Sequence, residues 1–287
     1  MNFLYKKYNL LILFICLLLV TAFLFRLDWQ SSHKVLTFAM LDVGQGDALF
    51  IESPTGAQVL FDGGPPRKLL GSLSRLMSPF DKSIDAIVIT NPDADHISGF
   101  LDIFKSYEVG LVLEPGTKNE SKTFQNIKGE IKKRNIPDIL AKRGMRLTLG
   151  GGVYIDVLFP DRDVSDWATN DGSIVARLTY GDTHIMLTGD ATAKTEKIVL
   201  AENKEETIKS TILKVGHHGS RTSTREDFVK AVAPLYALIS LGKDNKYGHP
   251  HQETLDTLSQ FGARILRTDQ VGTIVVKSDG NYVSIKP

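Results

Sequence analysis

Four residues with metal-binding side chains lie within one six-residue segment of this 287-residue chain: Asn91, Asp93, Asp95 and His96. Carboxylate and amide oxygens and imidazole nitrogens are the donor atoms that divalent cations use in proteins. The apolar run at residues 85–90 precedes the segment and predicts a strand that ends at the site. Because a bound cation with an open position activates water, the chemistry that this spacing indicates is metal-dependent hydrolysis.

Two later segments carry residues that would complete the same site. Asp190 follows the predicted strand at 184–188, and His217 and His218 follow the predicted strand at 212–215. Strand ends that meet at one edge of a sheet bring their side chains together, so we expect one site with four ligands: Asp95, His96, Asp190 and His217. Five of the seven histidines fall in these segments or close to residue 249: His96, His217, His218, His249 and His251.

The pattern of apolar residues predicts two rounds of strands followed by helices. Strands are predicted at 36–43, 48–52, 58–61, 85–90, 153–158, 174–180, 184–188, 212–215, 237–240, 272–277 and 282–285. Helices are predicted at 69–76, 97–107, 122–134, 192–201, 225–232 and 253–261. Two sheets packed face to face with helices outside form an α/β fold, and we expect a four-layer α/β/β/α sandwich.

The N-terminal segment is predicted to enter a membrane. Residues 10–25 carry no charge, are rich in Leu, Ile and Phe, and follow Lys6 and Lys7. We interpret this run as a single transmembrane anchor. A cleaved signal peptide is the alternative, although residues 21–23 (Thr-Ala-Phe) form a poor cleavage site. The lysines favour a cytoplasmic N-terminus, which places the rest of the chain outside the cytoplasmic membrane, or in the medium if the segment is cleaved.

The composition is that of a globular protein, with 42% hydrophobic and 23% charged residues and a net charge of +1. The single cysteine, Cys16, excludes an intrachain disulfide and a cysteine-rich zinc site. The predicted organisation is a short basic N-terminus at 1–9, the anchor at 10–25, a linker at 26–35 and a hydrolase domain at 36–287.

Several segments resemble the metallo-β-lactamase superfamily, and within it the extracytoplasmic hydrolase domain of the competence protein ComEC. The matching segments are residues 42–48, 62–64, 93–99, 170–173, 188–191, 217–220, 247–250 and 268–272. The resemblance covers residues 36–287, with the matching segments in the same order. It does not extend to the many membrane spans of the competence channel. The chain is therefore similar to a stand-alone relative of that domain, and the resemblance implies the same four-layer metallo-β-lactamase-like sandwich.

The resemblance assigns metal-binding roles residue by residue. Asp93, Asp95 and His96 match the metal-binding motif of the family. Asp190 matches the carboxylate that bridges two ions. His217 matches the last metal histidine.

Supporting and catalytic roles follow from the same resemblance. Asp62 matches an aspartate that orients the ligands from behind. His249 matches a histidine that contacts the scissile group in the nuclease branches. His218, Ser220 and Ser223 are the next candidates for substrate contact.

The chain departs from the superfamily at the first metal position. The motif of the superfamily begins with histidine where this chain has Asn91, and Asp93 stands for its second histidine. Where other branches place a further metal histidine, this chain offers Asn170 and Asp171, and Asn170 is also a candidate for substrate contact. Either the site holds one ion tightly and one loosely, or catalysis is lost and the fold serves binding. We favour retained activity, because Asp95, His96, Asp190, His217 and His249 are all present. We expect one or two divalent ions, Mn²⁺ in preference to Zn²⁺, because the donors are rich in oxygen.

The predicted function is that of a metal-dependent phosphodiester hydrolase, a nuclease that acts on single-stranded DNA outside the membrane during DNA uptake. Nine basic and three acidic residues at 118–146 suggest a track for phosphates, with a solvated helix surface as the alternative. A separate DNA-uptake channel protein is a candidate partner. Asp95 or Asp190 would orient the attacking hydroxide, and His249 or His218 would stabilise the oxyanion. The alternatives are a catalytically weakened DNA-binding or assembly factor, a small-molecule phosphoester hydrolase and a β-lactamase.

Overall fold

A computed structural model describes residue 8 and residues 11–24 and 35–286. Residues 11–24 form helix α1, whose apolar side chains are exposed. Within the described residues, no helix combines the length and the apolar content needed to cross a membrane. The predicted anchor at 10–25 and linker at 26–35 extend beyond the described residues, and both stay predictions.

The first sheet has eight strands, and the end of the chain returns to it. Its strands are β1 (Leu36–Met40), β2 (Leu49–Glu52), β3 (Gln58–Phe61), β4 (Ser83–Val88), β5 (Glu108–Glu114), β6 (Asp138–Leu140), β14 (Ile274–Ser278) and β15 (Val283–Lys286). They lie in the order β15-β14-β1-β2-β3-β4-β5-β6. The pairs from β15 to β3 are antiparallel and those from β3 to β6 are parallel, so β3 and β4 end at the same edge.

The second sheet has seven strands and repeats this arrangement. Its strands are β7 (Arg146–Gly150), β8 (Val153–Phe159), β9 (Val175–Tyr180), β10 (Thr183–Leu187), β11 (Ile212–Lys214), β12 (Tyr236–Ile239) and β13 (Arg264–Arg267). They lie in the order β13-β12-β11-β10-β9-β8-β7. The pairs from β7 to β10 are antiparallel and those from β10 to β13 are parallel, so β10 and β11 also end at one edge.

The helices cover the outer faces of the two sheets. The first sheet carries α2 (Leu69–Leu73), α3 (Ala94–Ile97), α4 (Phe100–Ser106) and α5 (Lys122–Lys133). The second carries α6 (Ala193–Glu202), α7 (Glu205–Ile208), α8 (Glu226–Val232) and α9 (Gln252–Gln260), and α10 (Thr268–Val271) follows β13. A 3-10 turn, Gly216–Gly219, follows β11.

Three apolar layers hold the sandwich together. Phe38 and Met40 of β1 point between the sheets and meet residues such as Ile155 and Leu178 of the second sheet. Ala39 of β1 points to the opposite face, beneath the helices. Because both faces of the central strands are buried, these strands read as nearly continuous apolar runs. The expected two-sheet α/β sandwich with outer helices is confirmed.

The structure corrects several predicted elements. The single helix predicted at 97–107 is wrong, because the chain forms α3 and α4 with a break at Gly99. The backbone of Gly99 donates a hydrogen bond to the Gly64 carbonyl oxygen (3.0 Å), and a Cβ on Gly99 would collide with the Gly63 carbonyl oxygen. The prediction missed four strands, β5, β6, β7 and β13. β6 is exposed throughout and β13 lies at a sheet edge, so neither has the apolar content of a central strand.

Candidate metal centre

The carboxyl ends of β4, β10 and β11 meet at one edge of the sandwich and carry the candidate ligands. Asp95 and His96 lie on α3, which begins six residues after β4 ends at Val88. Asp190 follows β10, and His217 and His218 lie on the 3-10 turn that follows β11. The His217 N–H donates to the Gly189 carbonyl oxygen (3.2 Å), which ties two of the three loops together. The structure thus brings the four side chains that the sequence predicts as ligands to this edge, together with His218.

Asp190 lies at the centre of this group. Its Oδ2 is 3.1 Å from His96 Nε2 and 3.7 Å from His217 Nε2, and its Oδ1 is 3.7 Å from His218 Nε2. Asp95 Oδ2 is 3.6 Å from His218 Nε2. Two atoms that bind one ion tetrahedrally at about 2.1 Å lie about 3.4 Å apart. Asp95, His96 and His218 offer donor atoms that all lie within 4.8 Å of one another, as the ligands of one small cation would.

Asp62 fixes the orientation of His96. Its carboxylate accepts hydrogen bonds from the Thr90 N–H (2.8 Å) and the Thr90 hydroxyl (2.5 Å), and Asp62 Oδ2 lies 2.8 Å from His96 Nδ1. Since the carboxylate only accepts, His96 Nδ1 donates the proton of this bond. His96 Nε2 then faces Asp190. This is the supporting role that the resemblance implies for Asp62, and carboxylates commonly set the tautomer of metal-binding histidines in this way.

A hydrogen bond fixes the orientation of the His218 imidazole in a similar way. Its Nδ1 donates to the Ser240 carbonyl oxygen (2.8 Å), which leaves Nε2 directed at Asp95 and Asp190. His217 and His218 both have left-handed backbone angles, with φ of 47° and 55°. Such angles cost a non-glycine residue of order 1–3 kcal/mol and persist where the surroundings impose them. This local strain turns two adjacent imidazoles toward one carboxylate.

Three donor atoms of the group are buried and lack any hydrogen-bond partner: His96 Nε2, His218 Nε2 and Asp190 Oδ1. Buried polar atoms are almost always satisfied, because leaving one unpaired costs about 1–3 kcal/mol. An imidazole nitrogen faces a carboxylate favourably only when a positive charge lies between them, which a proton supplies in the metal-free chain and a metal ion supplies when bound. The residues of this site therefore fit a bound metal ion.

The charges of the site favour a cation as well. Burial opposes ionisation of Asp190, yet His96 and His218 hold the pKa of its carboxyl well below the usual range. Burial likewise opposes charge on His96, but Asp190 and Asp62 raise the pKa of its imidazole well above the ordinary value. Burial also opposes ionisation of Asp95, and His218 and His96 lower the pKa of its carboxyl. Enclosed carboxylates thus attract positive charge to this point.

Residues 41–243 match the family described as the Metallo-beta-lactamase superfamily. The chain belongs to this superfamily. It is 34% identical over 253 residues to ComE operon protein 3 of Bacillus subtilis, a match that covers 82% of this chain and 32% of the relative. It is 30% identical to Recombination protein 2 of Haemophilus influenzae (91% of this chain, 31% of the relative). It is 27% identical to Competence protein ComA of Neisseria gonorrhoeae (81% and 31%). The chain thus spans about a third of the length of these relatives.

At the first metal position of the superfamily, the side chains of this chain are engaged in hydrogen bonds with their neighbours. Asn91 is fully buried, and its Nδ2 donates to Asn170 Oδ1 (2.6 Å) while its Oδ1 accepts from the Asp93 N–H (3.1 Å). The Asp93 carboxylate accepts hydrogen bonds from the Thr169 hydroxyl (2.9 Å) and from Asn119 Nδ2 (3.3 Å). The donors predicted for a first ion are therefore engaged, whereas the Asp190 group has unpaired atoms. The sequence leaves open one or two ions, and the geometry favours one ion, held at the Asp190 group.

We expect the full chain to bind one Mn²⁺ per polypeptide, because the group around Asp190 offers unpaired donors while Asn91 and Asp93 are engaged in hydrogen bonds. Inductively coupled plasma mass spectrometry after equilibration with Mn²⁺ and desalting measures the ratio. Asp190→Asn should lose the ion, and Asp93→Asn, the matched control, should retain it. Two ions in the wild-type chain, or loss of the ion from Asp93→Asn, would contradict a single site.

Two charged residues of the site did not emerge from the sequence: Asp47 and Lys214. Lys214 is fully buried, forms an ion pair with Asp47 Oδ2, and donates to the Gly189 carbonyl oxygen (2.7 Å). Its ammonium lies 3.9 Å from Asp190 Oδ1. The sequence feature that could have identified Lys214 is the presence of a lysine within the otherwise apolar strand β11. Lys214 offsets part of the negative charge beneath the metal-binding group.

A glycine brings Asp47 to this position. Gly46, with φ of 131°, lies so close to Asp95 that a Cβ would collide with the Asp95 carbonyl oxygen. The Ser240 hydroxyl donates to the Gly46 carbonyl oxygen (2.7 Å) and fixes the loop from the other side. This close approach explains the glycine at position 46.

An open cleft of about 170 Å³ lies beside the metal-binding group. Its lining residues are Gln45, Asp93, Asp95, Asn170, Asp190, His217, His218, Tyr247 and His249. Burial and the neighbouring imidazoles of His218, His217 and His251 lower the pKa of His249 to about 4. His249 is therefore neutral near pH 7 and retains both a donor and an acceptor nitrogen. The structure thus brings His249 and Asn170 to the cleft, as the predicted catalytic and substrate roles require.

The two predicted substrate-binding serines do not line this cleft. Ser223 is buried and donates its hydroxyl to the Ala191 carbonyl oxygen (2.8 Å). Ser220 is also buried, and its hydroxyl lies 3.0 Å from the Thr222 hydroxyl. The structure gives both serines a role in holding the loop that carries the histidines.

Proposed function

We propose that this chain is a metal-dependent phosphodiesterase that cleaves single-stranded DNA during DNA uptake. The observation that carries the proposal is the set of unpaired buried donors on His96, His218 and Asp190, placed directly beside an open cleft. A fold is not a function, so the argument rests on this site. The names of the relatives, which include a competence protein and a recombination protein, support a role with DNA.

Asp95, His249 and Asp190 divide the chemical work in the proposed mechanism. A divalent ion, when bound, supplies Lewis-acid chemistry and lowers the pKa of water. Asp95, whose side chain is 38% exposed, faces the cleft and accepts a hydrogen bond from the attacking water. His249 donates an N–H to the phosphoryl oxygen as negative charge develops there. Asp190 and the enclosed His96 keep the ligand group in place.

The preference for Mn²⁺ over Zn²⁺ is part of the same proposal. Two carboxylates, Asp95 and Asp190, and two imidazoles, His96 and His218, form the donor set. Cysteine is absent from it, and the single cysteine of the chain lies at position 16. Mixed carboxylate and imidazole donors suit manganese better than a site built from histidine or thiolate alone.

The basic stretch at 118–146 gives less support to DNA binding than its composition indicates. Lys128 pairs with Glu114 (2.8 Å) and Asp138, and Arg146 pairs with Asp156 (2.6 Å). Lys118, Lys133 and Arg134 also form ion pairs with acidic neighbours. Five of the nine basic side chains of this stretch are thus already paired within the described residues. The remaining basic residues are Lys122, Lys132, Lys142 and Arg143.

A nuclease assay tests the proposed function directly. We expect the full chain, purified in detergent, to cut a labelled single-stranded oligonucleotide with added Mn²⁺ and to lose this activity in EDTA. Asp190→Asn should abolish the cleavage. Asp182→Asn is its matched control, because Asp182 is an exposed carboxylate outside the cleft. Salt-sensitive DNA binding without cleavage or bound metal would instead support the DNA-binding alternative. Turnover of small phosphoesters with no preference for DNA would favour a small-molecule hydrolase.

The extracytoplasmic location belongs to this proposal as well. The apolar helix α1 and the lysines that precede it are the features that support a membrane-anchored chain with its hydrolase domain outside. A separate channel protein would supply the membrane passage for the DNA. Protease protection of a C-terminal tag in intact cells, compared with lysed cells, tests the orientation.

A further inference from the structure

An exposed tyrosine stands at the rim of the cleft. Tyr247 is 53% exposed, yet it lines the same cleft as Asp95, His217 and His249. Large aromatic side chains are usually buried for most of their area, and those left exposed beside a site are frequently contact surfaces for a ligand. No step of the proposed hydrolysis uses this ring.

The side chain of Asn245 forms several hydrogen bonds within the turn that carries Tyr247. Asn245 Oδ1 accepts hydrogen bonds from the Tyr247 N–H (3.2 Å) and the His249 N–H (3.0 Å). Its Nδ2 donates to the carbonyl oxygens of Gly242 (3.2 Å) and His249 (2.7 Å). The Gly242 N–H in turn donates to Gln45 Oε1 (3.2 Å), which joins the turn to another residue that lines the cleft. The backbone that carries the ring is therefore held in place before any substrate arrives.

Tyr247 already takes part in one stack. Its ring lies nearly parallel to the His249 imidazole, at 5.8 Å between centroids and 24° between planes. The Lys246 ammonium lies 5.3 Å from the ring centroid, and Lys243 is a second exposed cation in the same turn. A planar group and a nearby phosphate would meet matching chemistry here, since aromatic rings stack with bases and lysines pair with phosphates.

The size of the cleft determines which part of a nucleotide reaches this ring. Its volume of about 170 Å³ is well below the range of about 300–1,000 Å³ that encloses a drug-sized ligand. A phosphodiester group fits beside the metal-binding residues, while the attached base must lie outside the cleft, at its rim. Tyr247 and its turn form that rim.

We propose that Tyr247 is a stacking platform for an unpaired nucleobase next to the scissile phosphate, which gives the site its preference for single-stranded DNA. This inference rests on the proposed function and adds a residue that contacts a base of the substrate. A base within a duplex is covered on both faces by its neighbours, so the ring can stack only with a base that is free of them. Tyr247 acts here as a specificity residue.

The test measures binding in EDTA, so that no strand is cut. The full chain is titrated with two labelled single-stranded oligonucleotides, one normal and one with an abasic residue in place of a single central base, and anisotropy gives each Kd. Tyr247→Ala should weaken binding of the normal strand about 5- to 150-fold, the range found when one base–aromatic stack is lost. Tyr247→Phe should bind within about twofold of wild type, because a phenyl ring stacks as a phenol does.

The abasic strand separates stacking from an indirect effect through His249. With the abasic residue at the stacked position, wild type should bind as weakly as Tyr247→Ala, and the substitution should cause no further loss. Moving the abasic residue along the strand locates that position. Tyr282→Ala is the matched control, since Tyr282 is 80% exposed and lies outside the cleft.

Two outcomes would overturn the inference in distinguishable ways. If Tyr247→Ala weakens binding of the normal strand and of every abasic strand equally, or weakens neither, the ring is no platform, although the proposed function stands. If the wild-type chain neither binds nor cuts any single-stranded oligonucleotide, the proposed function falls and this inference falls with it.

Discussion

Replacing Asp190 with asparagine is expected to lower the rate of DNA hydrolysis about 1,000-fold, equivalent to about 4 kcal/mol of transition-state stabilisation. The reason is geometric, because Asp190 is the carboxylate that approaches His96, His217 and His218. Asparagine keeps the size of the side chain but removes its charge, so the enclosed site loses the central donor that attracts a cation. Single-turnover cleavage of a labelled oligonucleotide measures the effect.

A graded comparison gives this prediction its controls. Asp62→Asn should cost about 10- to 100-fold, because Asp62 reaches the site only through its hydrogen bond to His96. Asp182→Asn should leave the rate within about twofold, since surface substitutions away from a site have small effects. The expected order of rates is Asp182→Asn, then Asp62→Asn, then Asp190→Asn. Activity of Asp190→Asn near that of wild type would refute the assignment of the centre.

The sequence identified the loops of the site because the ligand residues follow recognisable strands. Asp95 and His96 come after the apolar run of β4, and Asp190 comes after β10. Parallel strands end at a common edge, so residues that follow them meet there whatever their separation along the chain. The two-sheet sandwich follows from the same strands, since their burial on both faces requires a second sheet and outer helices.

The relative roles of the two adjacent histidines could not be read from spacing alone. The sequence assigned His217 to the metal and His218 to the substrate. The structure encloses His218 almost completely, at 2% exposure of the side chain, and leaves His217 at 24%. His218, not His217, joins Asp95 and His96 in the group of donor atoms within 4.8 Å. Left-handed backbone angles at both residues decide this orientation, and no residue pattern announces such angles for histidine.

The ion pairs of Lys128 and Lys214 could not be predicted from the sequence for a related reason. The basic helix α5 looked like a track for phosphates, but Lys128 reaches Glu114 on β5 and Asp138 on β6. Neither strand was predicted, so neither carboxylate could be placed beside the helix. Lys214 was overlooked within an apolar strand because its partner Asp47 is 167 positions earlier in the numbering. Long-range pairs of this kind depend on the tertiary fold.

Replacing Lys214 with methionine is expected to lower the free energy of unfolding by about 3–5 kcal/mol, the cost of leaving a buried charge without its partner. Lys214 and Asp47 are both enclosed, and no solvent is at hand to replace the ammonium. Methionine fills a similar volume, so the loss arises from the uncompensated Asp47 carboxylate and not from a cavity. Urea denaturation of the metal-free chain, followed by tryptophan fluorescence, measures the change.

The double variant Asp47→Asn/Lys214→Met distinguishes an uncompensated charge from damaged packing. Removing both charges together should recover a large part of the stability, because replacing a whole buried pair costs less than breaking it. Lys128→Met is the matched surface control and should cost about 1 kcal/mol or less, as its ion pairs are partly exposed. Equal losses in Lys214→Met and the double variant would show that Lys214 supports packing alone. Recovery would show that the buried ammonium balances the carboxylates on which the metal centre is built, and that the fold accepts this concentration of acidic groups because Lys214 lies beneath them.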